Sequence, residues 1–101
     1  MRIIAGTYKS RTLVFPKTKS VRPTMDRVKE SMFSVIGLRV VGARVLDLFA
    51  GCGSLGLEAL SRGAREVTFV EQHPAALRAL KTNITALGVA SAAQVFAGSV
   101  F

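Results

Sequence analysis

Residues that bind metals or form disulfides are scarce in this sequence. It has one cysteine, Cys52, one histidine, His73, and no tryptophan among its 101 residues. A disulfide framework needs pairs of cysteines and a structural zinc site needs more Cys and His ligands than these, so both are excluded. No signal peptide is recognisable in residues 1–20, and charged residues interrupt the most apolar stretch, 40–60, which excludes a membrane span. We therefore expect a reduced, soluble, cytoplasmic protein with no metal and no membrane partner.

Acidic side chains are also few, and the charge is unevenly distributed. The sequence has 14 Lys and Arg against 6 Asp and Glu, a formal net charge of +8. Residues 1–44 hold ten of the basic and two of the acidic side chains, whereas residues 45–101 hold four of each. Such asymmetry is typical of a segment that binds a polyanion, most simply nucleic acid. A basic surface that only keeps the protein soluble is the alternative, and charge alone does not separate the two.

The first third of the chain predicts a hairpin followed by a helix. β-prone runs at residues 2–6 and 11–15 flank a turn around residues 6–10, and residues 16–22 read as a basic loop. Pro23 and Thr24 then begin a helix that ends at Gly37. Lys29 is expected to point away from its apolar stripe, which is formed by Met25, Val28, Met32 and Val35.

From residue 43 the pattern changes to alternating strands and helices. An almost continuous apolar strand over 45–50, expected to be buried on both faces, is followed by a helix over 55–62 and a strand over 66–71. A second helix begins at Pro74 and ends at Gly88, and a third strand spans 93–97. The order β-α-β-α-β predicts an α/β fold with right-handed crossovers and a parallel sheet.

A glycine-rich turn follows the first strand, at the end of the sheet where parallel α/β proteins bind their ligands. Gly51, Gly53 and Gly56 satisfy the pattern G-x-G-x-x-G, and Glu71 lies twenty residues after Gly51, at the end of the second strand. Glycines let the backbone approach a ligand closely, and a carboxylate at Glu71 can accept hydrogen bonds from both hydroxyls of a ribose. The pattern predicts a nucleoside-containing ligand.

Asp47 distinguishes between two common ligands of this type. A dinucleotide places its pyrophosphate at the helix N-terminus, close to the Asp47 carboxylate, and like charges repel in a partly dry cleft. S-adenosylmethionine has no phosphate and carries an ammonium and a sulfonium, which a carboxylate attracts. We therefore favour S-adenosylmethionine, with a nicotinamide dinucleotide as the alternative.

Several stretches of the sequence resemble one family. The run D-L-F-A-G-C-G-S-L-G-L-E-A-L-S-R-G-A from Asp47 resembles the first motif of the bacterial methyltransferases that modify the exocyclic N2 of guanine in 16S ribosomal RNA. Near the N-terminus, R-I-I-A-G, R-T-L and R-P-T-M-D-R-V-K-E-S-M-F resemble that family's opening hairpin and its R-P-T-x-D-R-V-[KR]-E helix. The resemblance covers essentially the whole chain. It implies a Rossmann-like methyltransferase fold with S-adenosylmethionine bound beside the glycine turn.

The resemblance also implies which residues bind each ligand. For the cofactor, Asp47 and the glycines hold the methionine part, Glu71 holds the ribose, and Ser99 stands where many relatives have an Asp or Asn facing the adenine. The cofactor set is Asp47, Phe49, Gly51, Gly53, Glu71 and Ser99. The set implied for 16S ribosomal RNA, or for the assembling small ribosomal subunit, is Arg2, Tyr8, Lys9, Arg11, Arg22, Thr24 and Arg27. Tyr8 is equally compatible with stacking on an RNA base and with an ordinary hairpin aromatic.

The family's catalytic motif, [DN]-P-P-[FY], is absent from the 101 residues, whose only prolines are Pro16, Pro23 and Pro74. No catalytic residue is therefore assigned. We expect residues 1–42 to dock RNA and residues 43–101 to form an incomplete cofactor-binding domain, within a single structural unit that binds its ligands but transfers no methyl group. The alternatives are a non-catalytic RNA-binding module and half of an NAD-binding oxidoreductase domain.

Overall fold

Residues 1–15 and 23–99 are described by the structure, a computed structural model. The main elements are helix α1 (Pro23–Ile36), strand β1 (Arg44–Asp47), helix α2 (Ser54–Ser61), strand β2 (Glu66–Glu71), helix α3 (Pro74–Leu87) and strand β3 (Ala93–Ala97). Short 3₁₀ turns at Gly37–Val40 and Ala90–Ala92 follow α1 and precede β3. The predicted bounds of β2, α3 and β3 are confirmed.

The three strands form one parallel sheet in the order β1-β2-β3. Asp47 at the end of β1 pairs with Phe69, which pairs in turn with Val95 of β3. Parallel neighbours need a crossover, which α2 and α3 provide, so the predicted β-α-β-α-β fold is confirmed. The carboxyl ends of all three strands meet at one edge, which brings Asp47, Glu71 and the residues after β3 to the same end of the molecule.

Strand β1 is shorter and more exposed than predicted. It ends at Asp47 rather than residue 50, because the chain then turns, although the Ala50 N–H still donates to the Val70 carbonyl of β2 at 3.0 Å. Within the described part of the chain β1 is an edge strand, and Leu46 is 60% exposed. The prediction of a strand buried on both faces is therefore wrong there, because burial of a parallel strand needs neighbours on both sides and layers on both faces.

One hydrophobic core joins the sheet, the helices and the N-terminal segment, which we define as residues 1–15. Ile3 and Leu13 of the N-terminal segment and Phe33 of α1 are buried in it. The other large members are Val40, Leu57, Leu60, Val67, Phe69, Leu80, Ile84, Leu87 and Val89. The N-terminal segment is therefore anchored in the same core as the sheet.

The N-terminal segment forms less of a hairpin than predicted. Within residues 1–15 its limbs share a single antiparallel bridge, Arg2 with Thr12, although the turn lies near residues 6–10 as expected. The reason is that the first limb bonds elsewhere: the N–H groups of Ile4 and Ala5 donate to the Glu58 carboxylate at 2.9 and 3.1 Å. Helix α2 therefore accepts backbone N–H groups of the first limb that a longer hairpin would pair with the second limb.

Helix α1 packs with a different face from the predicted one. Val28, Met32 and Val35 are exposed, whereas Phe33 is buried and Lys29 is only 1% exposed. The side chain of Met25, the fourth member of the predicted stripe, lies outside the described ones. The Lys29 face is selected by a buried ion pair with Glu58, whose Oε1 lies 3.3 Å from the ammonium. Apolar periodicity cannot anticipate such a pair.

No helix within residues 1–15 and 23–99 is both long and apolar enough to cross a membrane. In the same ranges, no three His, Cys, Asp or Glu side chains gather in a way that could hold a metal ion.

Candidate functional site

The glycine loop, residues 48–53, connects β1 to α2 at the carboxyl edge of the sheet. Gly51 and Gly53 have φ angles of 56° and 92°, in the left-handed region that favours glycine. The Gly53 carbonyl accepts the Leu57 N–H at 2.8 Å, so the loop leads directly into α2. Gly51 and Gly53, two of the predicted cofactor residues, are therefore required by the conformation of the turn itself.

Gly56, the third glycine of the motif, allows α2 to lie close to β2. A Cβ atom at this position would collide with the ring of Phe69 and with the Val67 side chain. The motif thus combines two glycines for the loop with one for helix–sheet packing, as its place between a strand and a helix predicts.

Glu71, at the end of β2, binds the glycine loop directly. Its Oε1 accepts the Gly51 N–H at 2.8 Å, and its Oε2 accepts the N–H groups of Gln72 and His73 at 3.0 and 2.9 Å. Burial acts to raise the pKa of Glu71, but the backbone donors, of which His73 has the largest effect, together lower it below the usual carboxyl value. A carboxylate has about four acceptor sites, so Glu71 can still accept from a ligand hydroxyl.

A cleft of about 220 Å³ opens beside this carboxylate, and we call it the Glu71 cleft. Residues at or just after the carboxyl ends of the three strands line it. They are Leu48, Phe49, Val70, Glu71, Gln72, His73, Gly98 and Ser99. Three of the predicted cofactor residues, Phe49, Glu71 and Ser99, are therefore brought together, and the Phe49 side chain is 72% exposed.

Asp47 lines a second cavity of about 220 Å³, the Asp47 cavity, rather than the Glu71 cleft. The rest of that cavity is mostly apolar and includes Met32, Phe33, Ile36, Leu46 and Leu55. Burial raises the pKa of Asp47, the backbone N–H groups of Phe49 and Gly56 lower it, and the negative charge of Glu71 raises it further, with a net increase. The carboxylate oxygen Oδ2 is buried and has no hydrogen-bond partner among residues 1–15 and 23–99. Such an acceptor is costly unless a donor or a cation reaches it.

The predicted RNA-binding residues that the structure describes lie on the N-terminal segment and on α1. The exposed ones are Arg2, Lys9, Arg11 and Arg27. The Arg11 guanidinium also donates from Nη2 to the Ala86 carbonyl near the end of α3, at 2.7 Å. One of its donors is therefore used within the protein.

The remaining RNA-binding predictions have mixed outcomes. Tyr8 is half-buried and packs against the core, which is the arrangement expected of an ordinary hairpin aromatic. Arg22 and the side chain of Thr24 lie outside the described part of the chain.

Buried polar side chains next to the glycine loop were missed by sequence reasoning. Glu58 of α2 is fully buried and pairs with Lys29 and with Arg62, whose Nε lies 2.8 Å from Oε2. The Arg62 guanidinium lies 4.8 Å above the centre of the Phe33 ring. Asn83 of α3 is also buried. The sequence held only weak indications that these side chains are buried. Glu58 lies among the apolar residues of α2, and Asn83 directly precedes the apolar Ile84.

Residues 1–101 match the family described as "Conserved hypothetical protein 95". The chain belongs to this family. It is 47% identical over 96 residues to "Putative rRNA methyltransferase YlbH" of Bacillus subtilis, which covers 95% of this chain and 52% of that relative. It is 42% identical over 95 residues to ribosomal RNA small subunit methyltransferase D of Escherichia coli, which covers 94% and 48%. The predicted relationship to rRNA methyltransferases is confirmed.

The fold comparison agrees with the family. The chain superimposes on the solved structure of "Putative methyltransferase yhhF" from Escherichia coli with a TM-score of 0.88 and 40% identity, covering 98% of this chain and 53% of that one. The Rossmann-like methyltransferase fold is thereby confirmed for the described residues. The chain spans about half the length of the relatives that it matches.

Proposed function

We propose that this chain carries the cofactor-binding and RNA-docking parts of an S-adenosylmethionine-dependent enzyme that methylates the exocyclic N2 of a guanine in 16S ribosomal RNA. The observation that carries the proposal is the glycine loop bonded through Gly51 to Glu71, beside a cleft formed where three strands end. The name of the Escherichia coli relative, ribosomal RNA small subunit methyltransferase D, supports the reaction class. A ribosomal RNA substrate favours a cytoplasmic location.

In this proposal the Glu71 cleft takes the nucleoside part of the cofactor. Its volume of about 220 Å³ is below the ~300–1,000 Å³ of a pocket for a complete small molecule, so the rest of the ligand lies along the glycine loop. Glu71 accepts the ribose hydroxyls, Ser99 lies at the adenine end, and the exposed ring of Phe49 offers an aromatic face for the base.

Asp47, Gly51 and Gly53 hold the methionine part. The unpaired, buried Oδ2 of Asp47 suits an ammonium, whose positive charge offsets the penalty that burial places on the carboxylate. A pyrophosphate in the same place would add negative charge beside Asp47 and Glu71, which disfavours the nicotinamide dinucleotide. When bound, S-adenosylmethionine supplies the methyl group that the reaction transfers.

Isothermal titration calorimetry with S-adenosylhomocysteine, the demethylated product, tests the cofactor site. We expect the chain to bind this nucleoside in preference to NAD. Glu71→Gln should weaken binding by about 10-fold or more, since a hydrogen bond to a charged group contributes about 1.5–3 kcal/mol. Glu66→Gln is the matched control, because Glu66 lies at the opposite end of β2 and pairs with Arg44. Tighter binding of NAD would refute the assignment, and RNA binding without any nucleoside binding would favour a non-catalytic RNA-binding module.

RNA docking is assigned to residues 1–44, because they carry the whole excess of positive charge. Each Lys or Arg that neutralises a phosphate releases a counterion, so the logarithm of the affinity should fall linearly with the logarithm of the salt concentration.

A pair of double variants tests this assignment with 16S rRNA transcribed in vitro. Lys9→Glu with Arg27→Glu should weaken binding and reduce the salt slope by about 0.7–0.9 for each phosphate that is no longer neutralised. Arg65→Glu with Arg78→Glu makes the same change of charge on exposed residues of the second half and should have the smaller effect. A larger effect of the Arg65 and Arg78 pair would place the RNA elsewhere. Arg62 is unsuitable as a control because it pairs with Glu58.

A further inference from the structure

The side chain of Asn83 joins the N-terminal segment to the glycine loop. Its Oδ1 accepts the Val14 N–H at 2.7 Å, and its Nδ2 donates to the Val14 carbonyl at 3.0 Å and to the Cys52 carbonyl at 2.9 Å. The residue is 1% exposed, its bond to Cys52 is buried, and its bonds to Val14 are partly buried. One amide therefore bonds two segments that are far apart in the sequence, and both of its N–H donors are used.

Each of the bonded segments depends on this amide. Cys52 lies between the two left-handed glycines of the loop, Gly51 and Gly53. Val14 lies beyond the single bridge of the N-terminal segment, and Asn83 bonds both its N–H and its carbonyl. Without the Asn83 amide, the buried Cys52 carbonyl would lose this hydrogen bond, which is costly, and the partly buried backbone groups of Val14 would lose theirs.

A second, independent tie joins the other limb of the N-terminal segment to the end of the same loop. The Lys29 ammonium donates to the Arg2 carbonyl at 2.9 Å and to Ser54 Oγ at 3.0 Å. Ser54 is the first residue of α2 and directly follows the glycine loop. Two buried polar side chains therefore link the N-terminal segment to the start of α2. Asn83 links one limb to Cys52 of the glycine loop, and Lys29 links the other limb to Ser54, the first residue of α2.

We propose that Asn83 is a positioning residue through which the glycine loop and the N-terminal segment order each other, so that cofactor binding and RNA binding are mutually reinforcing. The inference rests on the proposed function, which assigns the cofactor to the loop and the RNA to the segment. A ligand that orders the loop strengthens the Cys52 bond to Asn83, which holds the amide in the orientation that Val14 needs. The second ligand then loses less conformational entropy on binding, because its segment is already ordered. The coupling is reciprocal, so either ligand strengthens the binding of the other.

The test measures the affinity for 16S rRNA by filter binding, with and without saturating S-adenosylhomocysteine. We expect the unmodified chain to bind RNA about fivefold more tightly or better in the presence of the nucleoside. In Asn83→Ala this ratio should fall towards one, whereas Thr85→Ala, an exposed position on the same helix, should keep it. A purely structural role predicts that Asn83→Ala weakens both ligands and leaves the ratio unchanged, which would overturn the inference.

Hydrogen exchange on the unmodified chain keeps the inference testable if Asn83→Ala does not fold. S-adenosylhomocysteine should slow exchange of the Val14 N–H together with the N–H of Gly53. Protection from exchange that is confined to the glycine loop would overturn the coupling but not the proposed cofactor site. The same holds if the unmodified chain binds RNA equally tightly with and without the nucleoside. The absence of any binding heat in calorimetry would overturn the proposed cofactor site and the coupling with it.

Discussion

Replacing Lys29 by methionine should markedly lower the free energy of unfolding, although the new side chain is apolar and similar in length. The ammonium of Lys29 lies 3.3 Å from the Glu58 carboxylate and also donates to the Arg2 carbonyl and to Ser54 Oγ. In Lys29→Met these three acceptors all lose a donor, and the fully buried Glu58 loses one of its two counter-charges.

The expected loss can be estimated from the ion pair. Removing one partner of a buried pair costs about 3–5 kcal/mol, because the other charge stays buried. Arg62 remains 2.8 Å from Glu58 and compensates in part, so we expect the lower end of the range, about 3 kcal/mol. A domain of this length is stable by about 5–15 kcal/mol, so the loss amounts to between about a fifth and three fifths of the total.

Urea unfolding followed by circular dichroism measures this difference. With a slope of about 1–3 kcal/mol per molar urea, the midpoint should fall by about 1–3 M. Lys81→Met is the matched control, because Lys81 is an exposed lysine on α3 and its replacement should change stability by no more than about 0.5 kcal/mol. Equal midpoints for the two variants would show that Lys29 does not form the buried pair.

Four other predictions concern Asp47, its titration, the packing at Gly56 and methyl transfer. Asp47→Asn should weaken the binding of S-adenosylhomocysteine, because the ligand ammonium loses its counter-charge. The same change should stabilise the ligand-free chain, because burial disfavours the charge of the carboxylate. For the same reason the stability of the unmodified chain should rise as the pH falls through the raised pKa of Asp47, and thermal unfolding of Asp47→Asn should lack this rise. Gly56→Ala should cost about 1–3 kcal/mol because its methyl group meets Phe69, whereas Gly98→Ala, with no described atom within 4 Å, should cost much less. Equal losses in urea unfolding would contradict the packing role of Gly56. The chain should transfer no methyl group from tritiated S-adenosylmethionine to undermethylated 30S subunits, since it lacks [DN]-P-P-[FY], and stoichiometric label would show that the acceptor site lies within these residues.

Local patterns were sufficient to predict most elements and the position of the loop. Pro74 begins α3 and Gly88, with φ of 69°, ends it, because each residue has a backbone preference that needs no distant partner. Gly51 and Gly53 mark the turn for the same reason. Glu71 was predicted beside them because the carboxyl ends of parallel neighbours share one edge of the sheet.

The face of α1 and the pairing of the N-terminal segment could not be predicted in this way. Apolar periodicity selected Val28 and Met32, yet both are exposed, and Lys29 is buried instead. The deciding partner, Glu58, is distant in the sequence from Lys29 and from Ile4, whose N–H it also accepts. No local pattern carries information about such a contact.

The sequence by itself determined the order of strands and helices, the glycine loop and the placement of Glu71 next to it, because these depend on backbone preferences and on strand direction. Only the tertiary structure decided that Asp47 lines a cavity apart from the Glu71 cleft and that Asn83 bonds both Val14 and Cys52. The physical reason is that buried polar groups must find partners wherever packing brings them, and those partners lie 31 and 69 residues away along the chain.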